Sequence, residues 1–413
     1  MPLINKILEL REEEAKLLGY KNYAEISLAT KMASSPQQVL DFLRELAAKA
    51  KPYAQKDLQE LQQFATEQLN LPELEAWDIP YASEKLRQAR YAFSDQEVKQ
   101  YFPENKVLPG MFKLVEKLYH ISIVPADSIE LEHQIQYWHP DVKLFDIFDA
   151  SGALIGRFYV DLYARSTKRG GAWMDGAISR RRIGCEQGGS VVQIPVAYLT
   201  CNFSAPVEIK GKPRPALFTH NEVIVLFHEF GHGLHHLLTQ VDDLNVSGIN
   251  GVEWDAVELP SQFMENFCWE WDVLSEMTEH VETKESLPRA LFDKMLAAKN
   301  FQSGMQMVRQ IEFALFDMHL HYDFDPHGDK TVLQLLDEVR DEVAVIMPPD
   351  YNRFPNSFAH IFGGGYAAGY YSYKWAEVLS ADAYGLFEEN ASRSTAGVMV
   401  SRARTANGRL VAS

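Results

Sequence analysis

Three residues within five positions, His228, Glu229 and His232, carry the first chemical signal in the chain. Side chains four apart on a helix leave the same face, so both imidazoles can share one metal ion. Glu229 is turned about 100° from His228 at about 3.6 residues per turn, which frees it to work on a water beside that ion. Residue frequencies alone would produce this H-E-x-x-H spacing in roughly one chain of this size in a hundred, so its surroundings must carry the reading. A hydrolytic zinc site wants three protein ligands and an open position. A third histidine ten residues after His228 is excluded, because that place holds Leu238, and His235 stands where the pattern needs glycine. The third ligand must then be a later acid. Glu258, in Val257-Glu258-Leu259-Pro260-Ser261-Gln262, is the leading candidate, with Glu253, Asp255 and Glu265 as rivals. Glu265 lies seven residues on, two turns along the same face, and suits the orienting of a ligand histidine. His235 and His236 read as packing or hydrogen-bonding residues.

The elements that must position these groups follow from local patterns. Thr219 to Leu238 reads as one helix: Thr219 and Glu222 fit a capping box, and Val223, Phe227, Phe230, Leu234, Leu237 and Leu238 recur near helical period. Residues 4–75 look helical. Ser35, Pro36 and Gln38 give a cap, a first-turn proline and a capping-box glutamine, ahead of a stripe of Val39, Phe42, Leu43, Leu46 and Ala47. Ser94 and Glu97 start a short helix, and Met111 to Tyr119 a further one. Leu144 to Phe148 and Ala153 to Tyr163 read as a hairpin about Asp149-Ala150-Ser151-Gly152. Val191 to Phe203 is a further strand, which Pro195 marks as an edge or as two pieces. Tyr366, Tyr370 and Tyr373, at i, i+4 and i+7, would line one helical face, and a phenol can donate to an oxyanion.

The chain's 413 residues are ample for a large core. Forty basic residues against 57 acidic give a net charge of −17, which argues against nucleic acid or an anionic membrane as partner. Cys185, Cys201 and Cys268 form no disulfide framework, which suits a reducing cytoplasm. No apolar run is long enough to span a bilayer. Three regions are expected: a helical part over 1–140, a zinc-binding catalytic core over 141–390, and a tail over 391–413. The tail holds Arg393, Arg402, Arg404 and Arg409 but no acid, and reads as disordered or replaced.

His228-Glu229-Phe230-Gly231-His232, together with Glu258-Leu259-Pro260-Ser261-Gln262-Phe263-Met264-Glu265-Asn266, resembles the thimet oligopeptidase group of zinc metallopeptidases, its bacterial oligopeptidase A branch above all. The likeness runs from about residue 4 to about 389. It includes Lys168 to Asp175, the Pro195 to Phe203 strand, His360 to Tyr366 and Tyr370 to Trp375. It implies a mainly helical, zincin-type fold with a small β-sheet near the active site. It implies one Zn2+ on His228, His232 and Glu258, Glu229 as general base, and Tyr373 and Tyr366 as oxyanion donors. His360 would contact substrate, Gly363-Gly364-Gly365 would be a flexible loop, and the strand near Val196 to Thr200 would hold an extended peptide. The expected activity is endopeptidase hydrolysis of short peptides in the cytoplasm.

Members of the group carry a long helical segment before the place where this chain starts, and helices after Phe387-Glu388-Glu389. That implies a chain without one wall of the substrate channel, and so one that is inactive, altered in selectivity, or dependent on a partner supplying the missing N-terminal half. Two other readings stand beside the oligopeptidase: a non-catalytic chain that binds zinc or peptides, and a dipeptidyl carboxypeptidase on the same scaffold.

Overall fold

The computed structural model describes residues 2–126, 137–184, 189–209 and 211–391. Contacts divide the chain into two compact units, 1–94 with 253–256 and 294–375, and 95–252 with 257–293 and 376–413. The sequence boundary at 140 falls inside the second unit, and the first is gathered from three separate stretches. Of the tail expected over 391–413, residues 392–413 lie outside the described residues, as does Cys185.

The first unit begins with α1 (Pro2–Leu17), α2 (Tyr23–Leu28), α3 (Pro36–Leu69) and α4 (Ile79–Tyr91). Ser35 caps α3, its side chain accepting the Gln38 N–H at 3.2 Å. The reciprocal half of the expected box shifts by one residue: Gln38 Oε1 takes the N–H of Ser34, at 2.8 Å. Val39, Leu43 and Ala47 are buried as the stripe requires, and Leu40 joins them.

In the second unit come α5 (Asp95–Lys99) and α6 (Glu104–Tyr119). The latter starts seven residues before the expected Met111 and runs through Pro109 and Gly110. Gly110 explains why the helix continues there: a Cβ at that position would lie 2.2 Å from Met277 Cβ, so the close approach compensates for weak local propensity. Nine strands follow among the described residues: β1 (Ser122–Pro125), β2 (Lys143–Phe148), β3 (Leu154–Tyr163), β4 (Trp173–Ile178), β5 (Arg181–Gly184), β6 (Ser190–Gln193), β7 (Val196–Phe203), β8 (Val207–Ile209) and β9 (Lys212–Arg214). The β2–β3 hairpin turns as expected. Asp149 Oδ1 accepts from the N–H groups of Ser151 and Ala153, and Gly152 has φ +83°. The main sheet has the order β1-β2-β3-β7-β4, with β7 parallel to β3 and antiparallel to β4. Pro195 does split its stretch into β6 and β7. Yet β7 is an interior strand, and the outermost strand on that side is β4.

The unit continues with α7 (His220–Leu237), α8 (Leu259–Glu265) and α9 (Trp271–Met277). After α10 (Arg289–Ala297) the first unit is completed by α11 (Ser303–Tyr322), α12 (Val332–Val343) and α13 (Ala359–Gly363), and α14 (Ser372–Ala391) closes the described chain. The first unit's core joins Leu40 and Leu43 of α3 to Ile311, Leu315 and Phe316 of α11 and Leu336 of α12. The architecture is mainly helical with small sheets, as the sequence implied. No helix among the described residues is long and apolar enough to cross a membrane.

Candidate metal centre

Helix α7 is fixed at its start by the expected capping box. Thr219 Oγ1 accepts the Glu222 N–H at 3.1 Å, and Glu222 Oε2 accepts the Thr219 N–H at 2.7 Å. Val223, Phe227, Phe230, Leu234 and Leu237 are buried, with Phe230 against Phe158 of β3 at 5.3 Å between ring centroids, and the helix approaches Leu199 of β7 at Gly233. This anchoring sets His228 and His232 side by side, ring centroids 5.0 Å apart.

The third group arrives because α8 lies against α7 at a glycine. A Cβ on Gly231 would stand 2.5 Å from Ser261 Cα and 2.6 Å from Pro260 O, atoms of the backbone that cannot step aside alone. The glycine between Phe230 and His232 is therefore what lets α8 approach. Gly231→Ala gains about 1 kcal/mol of helix propensity but forces overpacking that costs about 1–3 kcal/mol, and it pushes Glu258 away from the imidazoles. The expected result is a lower melting temperature together with weaker metal binding. A variant as stable and as metal-avid as the parent would contradict the close approach.

At the start of α8, Glu258 is 1% exposed. Its Oε2 lies 3.1 Å from His228 Nε2 and 3.1 Å from His232 Nε2. One ligand atom from each of the three lies within 4.8 Å of the others, a grouping that could hold a metal ion. The Ser261 hydroxyl lies 3.1 Å from the same Oε2 and 2.8 Å from Glu258 O, which fixes the carboxylate. Behind the site, Glu265 Oε1 is 2.6 Å from His228 Nδ1. That contact keeps a proton on Nδ1 and leaves the Nε2 lone pair for a cation, the usual backing of a metal-bound histidine.

The electrostatics agree with this fit. Burial opposes a charge on His228, but hydrogen bonds to Glu258 and Glu265 prevail and push its pKa up to about 10. Burial also works against the Glu258 carboxylate, yet His232 and the hydrogen bonds from both imidazoles hold it well below the usual carboxylate range. Protons here take the place that a divalent cation would fill, and binding the cation would release them. Glu229, 6% exposed, is pushed up by burial and by Glu258, while His228, His232 and the Met174 N–H pull it back.

The rival acids go elsewhere. Glu253 is exposed, and Asp255, fully buried in the first unit, accepts from the N–H groups of Met32 and Ala33 and from the Tyr371 hydroxyl. His236 Nε2 donates to Ile178 O at 2.9 Å, and burial pushes the His235 pKa down to about 4. Lys168 is an internal strut, its Nζ 2.9 Å from Asp161 Oδ1.

In the first unit the three tyrosines do cluster, but not on one helical face. Tyr366 and Tyr370 lie before α14 in a stretch ending in turns, and Tyr373 alone is helical. Tyr366 and Tyr373 stack with centroids 5.2 Å apart at 10°, and the His360 ring lies 6.0 Å and 6.3 Å from them. Tyr370 turns inward, 7% exposed, its hydroxyl donating to Gln310 Oε1. The earlier expectation that β7 offers an edge to a peptide fails, since β3 and β4 flank it on both sides. Sequence reasoning missed one group of this centre, Gly231, whose signal was its place inside the histidine motif.

A family model described as Peptidase family M3 matches residues 1–403. The chain belongs to that family. It is 53% identical over 388 residues to oligopeptidase A of Salmonella typhimurium, a match covering 94% of this chain and 55% of that protein. It is 34% identical over 389 residues to the dipeptidyl carboxypeptidase of the same organism, again covering 94% and 55%. The chain thus spans about half the length of these curated relatives. The solved structure of PZ peptidase A with inhibitor 2 superposes with a TM-score of 0.56 at 14% identity, covering 97% of this chain and 58% of that one, a likeness of fold.

Proposed function

We propose that this chain carries the catalytic machinery of a zinc-dependent oligopeptidase that hydrolyses internal bonds of short peptides in the cytoplasm. The observation that carries the reading is the convergence of His228 Nε2 and His232 Nε2 on one buried oxygen of Glu258, with Glu229 beside them on α7. A zinc ion on His228, His232 and Glu258 would supply Lewis acidity toward the scissile carbonyl and toward a water, lowering that water's pKa to around 7.

Glu229 takes the proton of the attacking water and delivers it to the leaving amine. Its buried setting raises its basicity. Glu265 holds His228 in the tautomer that presents Nε2. Tyr373 and Tyr366, which enter through the family resemblance, donate to the charge developing on the carbonyl oxygen. His360 contacts the peptide. The extended substrate adds to the sheet at β4, the outermost strand, whose Met174 N–H faces Glu229.

The greater identity to oligopeptidase A than to dipeptidyl carboxypeptidase favours internal cleavage. Mass spectrometry of products from one decapeptide, with a free and with an amidated C-terminus, tests this. Internal cuts in both forms are expected. Successive loss of C-terminal dipeptides from the free form alone would assign the carboxypeptidase reading. Loss of neither, from a zinc-loaded chain, would leave a binding role.

A further inference from the structure

Polar side chains buried in the first unit converge on one short stretch of backbone. Asp317 of α11 is fully buried. Its Oδ1 accepts the Ala368 N–H at 2.9 Å, and its Oδ2 accepts those of Gly369 and Tyr370, each at 2.9 Å. One turn along α11, His321 Nδ1 lies 2.8 Å from Asp317 O and 3.1 Å from Oδ1. His321 Nε2 is 2.7 Å from a guanidinium nitrogen of Arg11. An arginine only donates, so Nε2 accepts and the imidazole proton sits on Nδ1, aimed at Asp317. The other terminal nitrogen of Arg11 donates to Ile361 O at 2.7 Å.

One network thus grips the chain on both sides of Gly363-Gly364-Gly365, at Ile361 before it and at 368–370 after it. The glycines between are exposed, and Gly365 has φ +82°. The far stem is buried from 367 to 372, whereas the three glycines are exposed. Tyr366 stands between the glycines and the held stretch, its N–H donating to His360 O at 3.0 Å, and Tyr373 follows directly on the held stretch.

We infer that Arg11, His321 and Asp317 are positioning residues that set where the Tyr366 and Tyr373 phenols stand. This rests on the reading of those phenols as oxyanion donors. A carboxylate that accepts three successive N–H groups fixes three peptide planes at once, and so the direction in which α14 starts. Replacing it by an amide of the same shape turns an –NH2 against at least one of those N–H groups.

The test uses the full zinc-loaded chain, the Asp317→Asn and Tyr373→Phe variants, and the double variant, with Glu229→Gln as the control for the peptidase reading. A displacement of about 1 Å at a catalytic group costs up to about 10²-fold. The expected result is a kcat about 10- to 100-fold lower for Asp317→Asn, KM within about threefold, and cooperative melting retained. In the Tyr373→Phe background the same change should cost less than it does alone, because one of the two phenols it positions is gone. Full multiplication of the two effects, or an unchanged kcat in Asp317→Asn, would overturn the inference while Glu229-dependent turnover still stood. Hydrogen exchange of the segment 361–373 is read without any turnover. Exchange at 368–370 should be at least about tenfold faster in Asp317→Asn, and equal exchange would remove the anchoring itself.

Discussion

Glu229→Gln should lower kcat by about 10² to 10⁴-fold, the range lost with a general acid–base group, while zinc remains bound one per chain. The amide keeps the size of the side chain and removes its ability to take a proton. Glu229 lies outside the set His228, His232 and Glu258, so the ligand atoms stay where they are. Burial raises the Glu229 pKa, which strengthens it as a base and makes the loss greater than for an exposed carboxylate. Steady-state cleavage of an internally quenched peptide, beside metal analysis of the same sample, measures both halves. Retained turnover would assign the base elsewhere, and lost metal would make Glu229 a ligand.

Glu258→Gln should cost the metal as well as the activity. The oxygen that both Nε2 atoms face would lose its charge, and a neutral amide is a poor partner for a dication. The loss of affinity should exceed the about 10- to 100-fold that removal of a supporting group such as Glu265 costs. A second consequence follows in the metal-free chain. His228 owes its raised pKa first among its partners to Glu258, so in the variant that pKa must fall, as burial takes over. NMR titration of the imidazole in both chains reads this directly. An unchanged His228 titration would break the link between the two residues.

Much of the centre was legible in the sequence because its parts are local. The capping box of Thr219 and Glu222, the four-residue step from His228 to His232 and the two-turn step from Glu258 to Glu265 each follow from helical geometry. Helical geometry alone does not separate Glu258, the leading candidate in the sequence, from Asp255. Asp255 is three residues away and as acidic, but it is drawn to the N–H groups of Met32 and Ala33, more than 200 positions distant. The tyrosines show the same limit. Their i, i+4, i+7 spacing suggests a helix, whereas Asp317, about fifty residues upstream, captures the N–H groups of 368–370 and holds that stretch as turns. The proline at 109 and glycine at 110 hid the first half of α6, since the contact with Met277 that makes the glycine useful is tertiary. Sheet order was hidden for the same reason. Val196 to Phe203 has the alternation of a strand, but nothing in that pattern says that β4 will cover its second edge.

The central claim is that one metal ion, held by His228, His232 and Glu258, runs peptide hydrolysis in this chain. The most direct test is to strip the chain with a chelator, return zinc in steps, and follow cleavage of a short internally quenched peptide. Turnover should be absent without zinc, rise in proportion to the metal added, and level off at one equivalent per chain. Turnover that survives chelation, or a soluble zinc-loaded chain that never cleaves the peptide, would contradict the account.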